Sequence, residues 1–145
     1  MPRTIVAIGG GKIATRQTLP IDREIIRLSQ KKPPRLLFIP IASSDSEIYW
    51  RKVRVYFGDF LKCKTDVLFL MKEKPSRQQI RSKISSADII YVGGGNTLQM
   101  MRIWRRLGVD KLLHRGLQAR NGTRRRQRRF HLLVRFRTLR FHVVL

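Results

Sequence analysis

Four short apolar runs constrain this chain more than any other feature: Ile5-Val6-Ala7-Ile8, Leu36-Leu37-Phe38-Ile39, Val67-Leu68-Phe69-Leu70 and Ile89-Ile90-Tyr91-Val92. None alternates apolar with polar residues, as a strand with one wet face would. Between and after them come stretches with apolar residues at helical spacing. Ile21, Ile25 and Leu28 follow Pro20, and Ile48, Val53, Val55, Phe57 and Phe60 recur among charges in residues 46–61 as a noisy helical pattern. Ile80 and Ile84 follow Ser76-Arg77-Gln78-Gln79, whose Ser and Gln have capping-box spacing. Leu98, Met101, Trp104 and Leu107 form the last such series. Strands buried on both faces, each followed by a helix, predict a parallel sheet joined by right-handed crossovers. The predicted fold is therefore a doubly wound α/β sheet, flavodoxin-like rather than a barrel.

The chain has 145 residues, close to the usual size of one domain, and 42% of them are hydrophobic, enough for a packed interior. No stretch approaches the ~18 consecutive apolar residues of a membrane-spanning helix. Met1-Pro2-Arg3-Thr4 leads straight into the first apolar run, without the layout of a signal peptide. A single cysteine, Cys63, excludes a disulfide framework and a multi-cysteine metal site. The expectation is a cytoplasmic, soluble protein with no membrane contact, metal or cofactor.

Charge divides the chain unevenly. There are 32 Lys+Arg against 9 Asp+Glu, a net of +23. Residues 1–113 hold 22 basic residues and all 9 acids, a net of +13. Residues 114–145 hold 10 Arg, no Lys and no acid, together with all three histidines. The expected organisation is an α/β body over 1–113 and an Arg-rich tail over 114–145.

Within the body, Gly9-Gly10-Gly11-Lys12-Ile13-Ala14 formally fits the G-x-G-x-x-A dinucleotide fingerprint. That fingerprint needs a helix directly after it and an acid at the end of the second strand. The second strand instead runs into Pro40-Ile41, and the first acid is Asp45. A structural turn is the favoured reading, with a nucleotide-binding domain as the alternative. The segment Ile41-Ala42-Ser43-Ser44-Asp45-Ser46-Glu47 sits at the carboxyl end of the second strand, the edge where open α/β sheets bind ligands. It reads equally as a helix start capped by Ser44 or Asp45. Gly93-Gly94-Gly95-Asn96-Thr97 is the most specific feature, because three glycines after a buried strand let backbone N–H groups approach an anion or oxyanion. The plainer reading is a turn capped by Asn96 or Thr97. Cys63 lies between two lysines whose charge would lower its pKa. A catalytic thiol wants a histidine, though, and residues 1–113 contain none, so Cys63 reads as a plain residue near a strand start.

Taken together, Ile5-Val6-Ala7-Ile8-Gly9-Gly10-Gly11, the segment 37–46 and Ile89-Ile90-Tyr91-Val92-Gly93-Gly94-Gly95-Asn96-Thr97 resemble the peptidase E family. These are dipeptidase E-like (alpha-aspartyl dipeptidase-like) serine peptidases, related to cyanophycinases. The resemblance spans residues 3–113 and implies a sheet related to class I glutamine amidotransferases. It also implies a Ser nucleophile on a strand–turn–helix elbow, a later His base, and small peptides, aspartyl dipeptides among them, as substrates. By the same resemblance the loop Gly93–Thr97 lies beside the nucleophile, with Gly94, Gly95 and Asn96 forming the oxyanion hole. Gly10, Gly11, Ser43 and Ser44 become cleft-lining candidates.

The family's next element is a strand with a Gly-x-Ser-Ala-Gly elbow. Here the chain reads Asn121-Gly122-Thr123-Arg124-Arg125-Arg126-Gln127-Arg128-Arg129-Phe130-His131, and no serine follows Ser86. The catalytic Ser and His are therefore absent and the fold is expected to be incomplete. Arg codons read one nucleotide later yield Gly, Ala, Val, Asp or Glu. With permitted synonymous codons, residues 114–136 then encode a strand and Gly-Val-Ser-Ala-Gly, its Ser straddling the codons of Gln127 and Arg128. The tail is thus read as out of frame, mobile or poorly packed, leaving the strand at 89–92 short of a neighbour unless Leu132, Leu133, Val134, Val143 and Val144 pair there by chance, which arginines without nearby acids oppose. A competing reading takes its arginines, with Phe130, Phe136 and Phe141 between them, as a nonspecific nucleic-acid-binding segment.

Overall fold

A computed structural model describes residues 4–118 and the strand His131–Phe136. Five parallel strands form one sheet: β1 (Thr4–Gly9), β2 (Arg35–Ile39), β3 (Lys64–Val67), β4 (Ile89–Val92) and β5 (His131–Phe136), in the order β1-β5-β4-β2-β3. Five helices connect them: α1 (Leu19–Ser29), α2 (Glu47–Val53), α3 (Arg77–Ser86), α4 (Thr97–Leu107) and α5 (Val109–Gln118). The fold is a doubly wound α/β sheet, as the apolar runs predict.

Two apolar clusters, one on each face of the sheet, hold it together. One joins Leu37, Ile39, Ile90 and Val92 to α3, α4 and α5 through Ile80, Ile84, Ile103, Trp104 and Leu113. The other joins Leu36, Phe38, Ile89 and Tyr91 to α1 and the α2 region through Ile25, Val53 and Phe57. Successive residues of β2 and β4 thus feed opposite clusters. All four residues of β4 are buried, and that is why its run shows no polar alternation.

Local capping explains several boundaries. Ser76 and Gln79 make a reciprocal capping box at the start of α3. Asn96 caps α4, its side chain accepting from the Gln99 N–H at 3.0 Å, so the capping falls to Asn96 rather than Thr97. Gly108, with φ 72°, ends α4 and lets α5 turn back.

Four expectations are corrected. The third strand is Lys64–Val67, not 67–70. Its ladder with β2 runs from Arg35↔Lys64 to Phe38↔Val67 and ends with the Leu68 N–H donating to the Phe38 carbonyl at 2.9 Å, while the Leu68 and Leu70 side chains fill the α3–α4 cluster. Ser46, not Ser44 or Asp45, caps α2, accepting from the Tyr49 N–H at 3.2 Å. Ser44 and Asp45 both take left-handed backbone angles and form the turn before it. The helical pattern of residues 46–61 changes register midway, where Arg54–Phe60 is π-helical.

The fourth correction concerns the neighbour expected to be missing beside β4. The compositional break at 113/114 falls inside α5, whose Val109 and Leu113 are fully buried and whose Leu117 packs on the same cluster. Apolar spacing at i, i+4 and i+8 carries the helix through the break. The strand at 89–92 does not lack a neighbour: β5 pairs with it on one side and with β1 on the other. Residues 119–130 and 137–145, which include most of the segment standing where the elbow would be, lie outside the described residues, as do Phe130 and Phe141.

Candidate functional site at the carboxyl ends of the strands

The loops following β1, β2 and β4 open on one side of the sheet and enclose a cavity of 680 Å³. Gly10 and Gly11 come from the first loop, Ala42, Ser43 and Ser44 from the second, and Gly94, Gly95 and Asn96 from the third. Tyr49 and Gln99, in the first turns of α2 and α4, complete the wall. Of the residues singled out in the sequence, Gly93 lies just behind this wall. A Cβ on it would meet the Tyr49 ring at 2.8 Å and the Phe38 ring at 3.1 Å. Thr97 is exposed in the first turn of α4 and does not contribute to the wall. Tyr49 and Gln99 were not anticipated. Their position, one turn into helices that follow strand ends, is the signal that points to them.

The glycine loop is pressed onto the second loop. The Asn96 N–H donates to the Ala42 carbonyl at 2.6 Å, and a Cβ on Gly95 would lie 2.0 Å from that same oxygen. This contact occupies the Asn96 amide, so of the three oxyanion candidates Gly94 and Gly95, both lining the cavity, keep N–H groups without a partner among the described residues. They sit beside the N-terminus of α4, where the helix dipole adds positive potential. The second loop is in turn pinned by Asp45, which is 0% exposed: its Oδ2 accepts from the N–H groups of Met71 (2.6 Å) and Lys72 (3.0 Å). Ser43 Oγ donates to the Pro40 carbonyl at 2.9 Å, and Ser44 Oγ lies 3.5 Å from Gln99 Oε1.

Chemically, the wall offers amides, hydroxyls and carboxamides, and among the described residues that line it there is no Asp, Glu, Lys, Arg, His or Cys. Among the described residues, Ser43 and Ser44 have no histidine or carboxylate in the wall to take their protons, so these residues form no nucleophile–base pair of the kind that activates serine. Among the described residues no three His, Cys, Asp or Glu side chains gather as a metal would require. No helix in the described part is long and apolar enough to cross a membrane.

The glycine turn after β1 does not open a helix. It leads to a 3₁₀ turn, Ile13–Thr15, and α1 starts only at Leu19. Gly10 and Gly11 adopt φ of 84° and 77°, the left-handed region that glycine enters freely. The structural-turn reading accounts for this geometry, and the helix N-terminus that a dinucleotide fingerprint requires is missing there.

Cys63 lies outside the site. It is 7% exposed, and burial pushes its thiol up to about 12, overriding the neighbouring lysines. At pH 8 the native thiol should hold about a thousandfold less thiolate than a thiol at the ordinary value of 9.0. Iodoacetamide labelling should therefore be slow in buffer and complete in urea; equal rates in both would show the thiol to be accessible.

Comparison with known proteins agrees with this architecture. The model of peptidase family S51 matches residues 5–123, which carries the likeness past the compositional break. The chain is 35% identical over 112 residues to the uncharacterized peptidase YgaJ of Bacillus subtilis (strain 168), covering 77% of this chain and 47% of that protein. Its fold is similar to crystal structures of a peptidase E protein from Listeria monocytogenes EGD-e and of a peptidase from an acI-B1 actinobacterium. The first superposes with a TM-score of 0.66 at 19% identity, covering 91% of this chain and 58% of that one. The second gives 0.63 at 17%, covering 93% and 54%. The chain thus spans about half the length of the proteins it matches. With the family model covering most of its residues and the strand-end loops in place, the chain belongs to peptidase family S51.

Proposed function

We propose that this chain carries the substrate-binding, oxyanion-side half of a serine-type peptidase site and is itself catalytically silent. The observation that carries the reading is the convergence of the three strand-end loops on one cavity. Gly94 and Gly95 supply the unpaired N–H groups there that a tetrahedral oxyanion would need. The proposed ligands are short peptides, aspartyl dipeptides among them. Their amide and carbonyl groups match the neutral polar wall, and the N-terminus of α4 favours a carboxylate. Silence follows from residue content. No serine occurs after Ser86, no histidine before His114, and Ser43 and Ser44 have no base beside them.

Incubating the full chain with aspartyl dipeptides and following free amino acids should give no turnover above the uncatalysed rate. Turnover that a fluorophosphonate abolishes would reveal a working serine and overturn the proposal.

A further inference from the structure

We propose that the groove between the 3₁₀ turn Ile13–Thr15 and the π-helical segment Arg54–Phe60 binds a small amphiphilic anion, a medium-length apolar chain ending in one carboxylate. The groove measures 350 Å³, inside the range of about 300–1,000 Å³ typical of small-molecule sites, and shares no residue with the strand-end cavity. Its apolar surface comes from Ile13, Ala14, Val55, Tyr56 and Phe60. Val55 is 54% exposed there, an apolar side chain left facing water beside buried Tyr56 and Phe57.

Three cations and no carboxylate border this surface: Arg16, Arg51 and Lys52. Arg16 is held in place by its own backbone, with φ 55° and its N–H donating to the Ile13 carbonyl at 3.0 Å. Its guanidinium lies 3.9 Å from the Phe60 ring centroid. Stacking uses the guanidinium face and leaves its in-plane N–H groups for an acceptor, the arrangement best suited to a carboxylate. Of the acids nearby, Glu47 stands one turn before Arg51, is ion-paired with Lys72 at 3.0 Å and partly offsets Arg51, whereas none lines the groove itself among the described residues. Asp22 is buried, its Oδ2 accepting from the Tyr56 hydroxyl at 2.7 Å and the Thr18 hydroxyl at 2.8 Å, while Asp59 is exposed and outside the lining.

The backbone adds an independent observation. Leu61 N–H reaches back to the Tyr56 carbonyl at 3.0 Å, an i→i+5 bond, so the helix bordering the groove is wound as a π-helix. Such windings are rare and concentrate at functional sites. Charge complementarity and groove size together select a short-chain anion. A neutral lipid would leave Arg16 and Lys52 unanswered, and a folded partner would need a wider surface.

The test is a titration of the full chain with sodium decanoate below its micellar concentration, followed by amide chemical shifts. Saturable shifts are expected at Ala14, Val55 and Phe60, weakening as salt is raised, with decanol at least about tenfold weaker. Val55→Asp, which places a carboxylate in the groove at an exposed position, should abolish the response. Arg51→Gln combined with Lys52→Gln, both exposed, should lower affinity about tenfold; circular dichroism verifies that each variant folds. Equal binding of decanoate and decanol, unchanged affinity in the variants, or shifts centred on the exposed Ile5 and Leu98 would each overturn the proposal. A response only to an acidic peptide, and none to decanoate, would do the same.

Discussion

Leu133→Pro is expected to unfold this protein or lower its stability by about 3 kcal/mol or more. In the register, Leu133 stands opposite Val6 of β1 and Tyr91 of β4, at the middle of a strand paired on both sides. Proline removes the N–H there, leaves a buried carbonyl without its donor at about 1–3 kcal/mol, and clashes with the neighbouring backbone. The damage spreads because β5 is the strand that ties β1 to the rest of the sheet. Against a total stability of about 5–15 kcal/mol for a domain of this kind, that is a large fraction. Urea denaturation reads the effect, and amide exchange at Val6 and Ile8 locates it. An unpacked tail would make the substitution silent, so an unchanged midpoint would support the composition-based reading of residues 114–145 over the observed strand.

The second large effect is expected at the glycine loop. Gly95 has φ 152°, and a Cβ there would sit 2.0 Å from the Ala42 carbonyl oxygen and 2.5 Å from its carbon. Both contacts are with backbone, so no side chain can swing aside. Gly95→Ala must push apart the glycine loop and the loop carrying Ser43 and Ser44, breaking the Asn96–Ala42 hydrogen bond. Strained backbone and overpacking together place the cost at about 3 kcal/mol or more. Gly10→Ala is the matched comparison. Its Cβ would meet nothing within 4 Å, so only the positive φ of 84° is penalised, at about 1–2 kcal/mol. Equal losses in the two variants, read by urea denaturation, would show that the loop contact at Gly95 is not the constraint described.

The sheet was largely legible because β2 and β4 are buried on both faces, which leaves an uninterrupted apolar signature. The same signature misled at residues 67–70. Leu68 and Leu70 are buried in the α3–α4 cluster at and beyond the last ladder bond, and burial alone does not distinguish these positions from the strand. The cap of α2 was obscured by three consecutive polar candidates, Ser44, Asp45 and Ser46. Which one caps depends on the two left-handed residues that precede the helix. The strand at 131–136 was hard to read because charge outweighs a short apolar pattern. Leu132-Leu133-Val134 is only three residues long and lies between His131 and Arg135 in an arginine-rich stretch without acids, so the cost of burying unpaired charge argues against a strand. The register nonetheless sets this run against β1 and β4. At the site, the glycine and serine loops stood out through turn chemistry. Tyr49 and Gln99 join them through helix geometry, a relation between elements that no local motif records.

The central claim is a built peptide-binding wall without the chemistry to use it. The direct measurement is a titration of the full chain with an aspartyl dipeptide, reading amide shifts and peptide integrity in the same sample. Saturable shifts at Gly10, Ser43, Gly94 and Gln99, with the dipeptide intact at the end, are the predicted result. Cleavage of the peptide, or a chain whose strand-end loops do not respond to it at any concentration, would contradict it.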